Sequence, residues 1–230
     1  MIAELARVAR ALLPGDVALA VVDPRIAPPP VWPEEAPAMA GMVAARRREF
    51  AAGRAAIRTA LRVLGAPPAA VPMGPDRAPL WPEGIVGSLS HIPSACLAVV
   101  AHAARFRSLG VDLEEGAALP EDLWDAILIP AERDWLAAQP APDRGGLARL
   151  IFSAKEAAYK AQYPLSRQVL EFSAMQIVPD LAAGRFDACF TGSAGPFRAG
   201  DRLDGQLACG GGWLMTVVAI PAVRSGASSR

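Results

Sequence analysis

Lysine is almost missing from this chain. Of 23 basic residues only Lys155 and Lys160 are lysine, and both stand in one stretch, Phe152–Lys160, with the sequence FSAKEAAYK. Tyrosine is as scarce, and its two copies, Tyr159 and Tyr163, fall in the same neighbourhood. Three cysteines, Cys96, Cys189 and Cys209, lie far apart with no CxxC pair, which excludes a disulfide framework and a thiolate zinc site. No apolar run approaches the ~18 residues needed to span a bilayer. Glu4, Arg7 and Arg10 interrupt the first segment, so no signal peptide is expected there and the protein is read as cytoplasmic. Charge of either sign is not in excess: 23 acidic residues balance the basic ones, so no global field argues for nucleic acid. With 53% hydrophobic and 20% charged residues, the composition is that of a globular chain able to bury a core.

What is present alternates between helical and extended patterns. Ile2–Leu13 carries apolar residues at helical spacing, and Asp16–Val22 reads as a strand. Pro24–Pro37 is a proline-rich loop, and Ala38–Leu64 is a long helix closed by Gly65. Ile85–Ser90 and Ala95–His102 are strands around a His91-Ile92-Pro93 turn, and Leu109–Leu113 is a third. Short helices interrupted by Pro130 occupy Glu121–Ala138, and Arg144–Gln162 is a second long helix that Pro164 closes. Phe172–Val178, Arg185–Thr191, Leu203–Ala208 and Trp213–Ile220 are extended, and the tail from Pro221 onward, ending in Ser225–Arg230, is expected to fray. The boundary falls in Ala103–Ser108, giving halves at 1–105 and 106–230.

Three groups of residues carry chemistry. In GVDLE (Gly110–Glu114), strand alternation points Asp112 and Glu114 the same way while Val111 and Leu113 face the core. Adjacent carboxylates repel unless a cation sits between them, and magnesium takes one or two carboxylates plus substrate phosphates. In FSAKEAAYK, Glu156 and Lys160 share a helix face at i,i+4, which by itself implies only a surface ion pair. A lysine ammonium is also a compact point charge suited to phosphate. The first long helix carries Arg46, Arg47, Arg48, Arg54, Arg58 and Arg62. Of these, Arg54, Arg58 and Arg62 form a ladder whose ordinary meaning is a solvated face.

GVDLE, FSAKEAAYK and the upstream GSLSH (Gly87–His91) together resemble the broad-specificity bacterial 4′-phosphopantetheinyl transferases, most closely the enterobactin-synthase component D subgroup. Arg48-Glu49-Phe50, Gly53-Arg54 and Arg77–Gly84 fit the same pattern, and the resemblance runs over roughly residues 46–165. Met73 departs from it, standing after Pro72 where some relatives place a lysine. The resemblance implies an α/β (α+β) pseudo-dimer: two similar halves, each a long helix on a small, mostly antiparallel sheet, with coenzyme A in the cleft between them. A single chain then suffices, so a monomer is expected.

The implied reaction moves phosphopantetheine from coenzyme A to a serine of an apo acyl or peptidyl carrier protein and releases adenosine 3′,5′-bisphosphate. By the same resemblance Asp112, Glu114 and Glu156 ligate Mg²⁺, and Glu156, Lys160 and Asp112 are catalytic. Arg46, Arg54, Arg77, Ser90, His91, Lys155 and Lys160 contact coenzyme A, while His102 is expected to be structural. Siderophore, polyketide and fatty-acid carriers all remain open. So do two other readings of the same acids, a magnesium-dependent nucleotide phosphohydrolase and a non-catalytic binder of carrier protein or coenzyme A.

Overall fold

Two antiparallel sheets, each covered by one long helix, form the architecture of the computed structural model, which describes residues 1–222. The first half contains α1 (Ile2–Leu12), β1 (Ala18–Val22), α2 (Ala44–Leu64), β2 (Ile85–Ile92) and β3 (Ala95–His102), with strand order β1-β3-β2. The second runs through β4 (Phe106–Glu115), the short α3 (Trp124–Ile127) and α4 (Pro130–Ala137), and the long α5 (Arg144–Ser166). It finishes with β5 (Met175–Asp180), β6 (Arg185–Phe190), β7 (Arg202–Gly210) and β8 (Trp213–Pro221), ordered β4-β8-β7-β6-β5. Among the described residues no helix is long and apolar enough to cross a membrane.

Alanine lets both long helices approach their sheets closely. Ala56 and Ala60 of α2 pack with Ile57 and Leu61 on Ala98 and Val100 of β3. On α5, Ala154, Ala157, Ala158 and Ala161 are all fully buried. The closest approach is at Gly110 of β4, where an added Cβ would lie 1.9 Å from the Ala157 carbonyl oxygen. No other residue fits there. That contact fixes the height of α5 over β4, and so the height of Glu156 and Lys160 over Asp112.

The face of β4 opposite α5 belongs to a different core. Leu109, Val111 and Leu113 pack with Val217 of β8, Leu97 and Val99 of β3, and Leu5 and Ala9 of α1. This apolar layer is shared by both sheets. Where edge strands β2 and β4 meet, serine side chains complete the bonding. The amide of Val111 donates to Ser88 Oγ at 3.0 Å, and that of Leu113 to Ser90 Oγ at 3.1 Å. Buried amides are thereby satisfied without a strand ladder.

Several expectations are corrected. Helix α2 begins at Ala44 and not at Ala38, because Ala36–Met39 forms a separate 3₁₀ turn. Pro130 opens α4, the position where its missing N–H costs nothing. Pro164 does not close α5, which continues through it to Ser166 and ends on Arg167 in the left-handed region. The arginine ladder is a solvated face only at Arg62; Arg54 and Arg58 are buried. Arg58 is buried and bonds Glu35 at 2.8 Å, while Glu35 also accepts from the amides of Trp32 and Val71. The ladder's second rung thus pins down the proline-rich loop. Of the tail expected to fray, Pro221 instead ends β8 and the Ala222 amide bonds the Arg105 carbonyl, while residues 223–230 lie outside the described residues.

Candidate active site

Asp112 sits at the junction of the halves, 3% exposed, with both oxygens engaged. Oδ1 accepts from Lys160 Nζ at 2.8 Å and from Ser90 Oγ at 3.0 Å, and Oδ2 accepts from Ser153 Oγ at 2.8 Å. Lys160, on the same α5 face, also donates to the Val111 carbonyl at 3.1 Å. Thr216 of β8 donates to the Ser153 carbonyl and lies 2.9 Å from Ser153 Oγ, which extends the network beneath Asp112. The sequence reading missed Ser153 and Thr216. A threonine alone in the apolar run WLMTVVAI was the available signal, since a buried hydroxyl needs a partner.

Glu114 shares the α5 face of β4 with Asp112 and bonds Arg149 Nη1 at 2.9 Å. Burial raises its pKa, with Asp112 adding to the rise and Arg149 opposing it. Arg149 was not foreseen, because nothing in local spacing connects it to β4. Glu156 is half-buried, and no side chain among the described residues bonds its carboxylate; Lys160 turns to Asp112 and leaves the i,i+4 pair unmade. Burial raises the Glu156 pKa, Lys160 pulls it back and Asp112 raises it further. Beside Glu156 lies a hollow walled by Tyr159, Leu170, Phe172 and Met175.

Lys155 is not placed to meet phosphate, which corrects the expectation that it contacts coenzyme A. At 1% exposure, it spends its three protons on Glu132 (2.8 Å) and the carbonyls of Ile127 and Phe172 (2.8 Å each). Glu132 in turn accepts from the amides of Ile129 and Ile177. This buried pair holds α4, α5 and β5 together. Ser90 is likewise spent on Asp112 and the Leu113 amide and is not free for a nucleotide.

In the first half, Arg46 and His91 come together. Arg46 Nη1 donates to His91 Nε2 and to Glu49 Oε2, and His91 Nε2 is 3.2 Å from the same glutamate oxygen. Burial lowers the His91 pKa, Arg46 lowers it further and Glu49 opposes, which favours the neutral ring. Arg54 is 3% exposed against the Phe50 ring, and its Nε has no hydrogen-bond partner among the described residues. Burial holds its pKa down at about 10, with Glu35 pulling up and Arg58 down, so it stays charged. Arg77 is exposed on the loop before β2, and His102 is exposed at the end of β3.

The donor chemistry of Asp112, Glu114 and Glu156 suits a hard cation, since all three offer carboxylate oxygen. Beyond burial, Asp112 raises the pKa of both glutamates, so its charge opposes each of theirs, which is the condition a cation relieves. They do not stand as a ready three-ligand cluster; among the described residues no such group of His, Cys, Asp or Glu occurs.

Comparison with known proteins bears on the whole arrangement. Residues 34–101 match the family model described as 4′-phosphopantetheinyl transferase N-terminal domain, and residues 108–204 match the 4′-phosphopantetheinyl transferase superfamily. The chain is 40% identical over 184 residues to the 4′-phosphopantetheinyl transferase Npt of Nocardia iowensis, covering 80% of each. To the 4′-phosphopantetheinyl transferase Svp of Streptomyces mobaraensis it is 41% identical, covering 84% of this chain and 79% of the relative. Enterobactin synthase component D of Salmonella typhi is 41% identical over 50% of this chain and 48% of its own. The two models follow one another along the sequence, and the Ser90–Asp112 bond links a residue of the first to a residue of the second. By this match, this chain is an enzyme of the 4′-phosphopantetheinyl transferase superfamily.

Proposed function

We propose that the protein transfers the 4′-phosphopantetheine arm of coenzyme A to a serine hydroxyl of an apo carrier protein, releasing adenosine 3′,5′-bisphosphate. The observation that carries this reading is the Asp112–Lys160 pair at the seam between the halves, with Glu114 and Glu156 on the same side of β4. Halves at 1–105 and 106–230 are the working division, each with its own sheet and long helix. Peptidyl carriers of siderophore synthesis are the proposed partner class, by analogy with the enterobactin synthase relatives.

The reaction forms a bond between the carrier serine oxygen and the pantetheine phosphorus and breaks the pyrophosphate P–O bond. Glu156, its carboxylate free of bonds among the described residues and its pKa raised by burial, is the base that takes the serine proton. Lys160 presents its ammonium to the departing phosphate oxygens. Arg46, His91, Arg77 and the unpartnered Arg54 are assigned to the nucleotide end, where guanidinium forks match phosphate. Magnesium held by Asp112, Glu114 and Glu156 would neutralise the charge that develops on the pyrophosphate.

Intact-protein mass spectrometry of an apo-carrier incubated with coenzyme A and Mg²⁺ tests the proposal. The carrier should gain one phosphopantetheine, and a chelator should stop the gain. Asp112→Ala and Glu114→Ala should each abolish it while circular dichroism stays that of the folded protein. Hydrolysis of coenzyme A with no carrier modification would favour a phosphohydrolase instead.

A further inference from the structure

Asp76 lies in the loop between α2 and β2, and its two carboxylate oxygens serve different halves of the molecule. Oδ1 accepts from the Ala78 amide at 3.1 Å and shapes a turn in which the Arg77 amide donates to the Gly74 carbonyl at 2.9 Å. Oδ2 accepts from the Tyr163 hydroxyl of α5 at 2.8 Å, and Arg167 Nη1 lies 3.8 Å from the same oxygen. Among the described residues, two that are not glycine adopt left-handed backbone, Arg77 at φ 65° and Arg167 at φ 57°. They flank this one carboxylate. Such conformations persist where surrounding contacts over-determine them. Tyr163 is itself held by Tyr159, with ring centroids 5.8 Å apart, and Tyr159 walls the hollow beside Glu156.

The geometry points to Tyr163 and Asp76 as positioning residues for coenzyme A: their bond ties the loop of the first half to the catalytic helix of the second and so presets Arg77. The inference rests on the proposed reading of Arg77 as a nucleotide contact. A loop tied at Asp76 offers the Arg77 guanidinium already ordered, whereas an untied loop must be ordered when the ligand binds. Phenylalanine at 163 keeps the ring packing and removes only the donor. None of Asp112, Glu156 or Lys160 bonds to either residue, so the effect falls on binding and not on the chemical step.

Turnover and calorimetric binding of coenzyme A are to be measured on the wild type, Tyr163→Phe, Arg77→Ala and the double variant. Tyr163→Phe is expected to raise KM and Kd about three- to tenfold, the size of one ordinary solvent-exposed hydrogen bond, with kcat within about twofold. In the Arg77→Ala background it should add nothing, because the two act through one contact. Asp76→Asn, which keeps an oxygen for the Ala78 amide but loses the charge facing Tyr163, should reproduce the rise. If Arg77→Ala weakens binding but Tyr163→Phe does not, or weakens it equally in both backgrounds, the tether is overturned and the Arg77 reading stands. If Arg77→Ala leaves Kd unchanged, both are overturned.

Discussion

Lys160 donates to Asp112, to Ser90 and to the Val111 carbonyl, and no guanidinium can occupy that point: it is planar, larger and does not release its proton. Lys160→Arg is therefore expected to keep coenzyme A binding within a few-fold while lowering kcat by about 10² or more. Calorimetry and carrier mass shift on one preparation check this, and a wild-type kcat would remove Lys160 from the chemistry. The scarcity of lysine pointed at two residues, but the structure seats them differently. Lys155 pairs with Glu132, a partner on another helix that no sequence spacing reveals. Removing Lys155 would leave a buried carboxylate unpaired, so Lys155→Ala should cost about 3–5 kcal/mol in denaturant unfolding. The KM for coenzyme A of the folded fraction should hardly change. A large rise in KM with little loss of stability would restore Lys155 as a ligand. The arginine ladder misled for the same reason: a period of four gives a face, but which face is buried depends on what packs there. Arg58 goes under the loop because Glu35 waits in it.

At the scale of elements, the sequence was most legible where periodicity and length agree. GVDLE and Trp213–Ile220 lie within β4 and β8, and the bodies of both long helices, though not all their ends, stand where their patterns put them. Helix ends were less legible. Pro164 looked like a stop, yet a proline in the last turn forfeits one hydrogen bond and α5 runs on to Ser166. The contact between α5 and β4 also left a mark, as the glycine of GVDLE. Gly110→Ala would drive a methyl against the Ala157 carbonyl, with backbone on both sides and no flexible side chain to yield. The expected loss is at or beyond about 3 kcal/mol, the upper end for overpacking. Thermal unfolding and turnover should fall together, because lifting α5 also lifts Glu156 and Lys160 away from Asp112. An alanine variant with native stability and activity would mean that the helix can shift freely over the strand.

At the scale of the molecule, alternating helix and strand patterns in each half made two sheets legible, but not the way they meet. The seam depends on hydroxyls in β2 reaching amides of β4, a pairing between the two sheets that side-chain polarity alone does not announce. The two serines separate cleanly by experiment. Ser88→Ala leaves the Val111 amide buried without a partner and should cost about 1–3 kcal/mol, with kcat unchanged. Ser90→Ala should lower kcat as well, since Ser90 also bonds Asp112 and Lys160. Equal kinetic losses in both would count against this division.

The apolar layer between the sheets has a consequence for the order in which the chain is made. Leu97 and Val99 of β3 leave the ribosome with only α1 to lie against, and the strands that cover them, β4 and β8, are separated by α5 and three more strands. β8 is central to that layer through Met215 and Val217 and also neighbours β4, so the first half waits, incompletely buried, until almost the whole described chain has emerged. A ribosome stalled before Trp213 should therefore present a nascent chain whose inter-sheet layer is protease-sensitive and bound by chaperones, and one released after Pro221 should become resistant there in a single step.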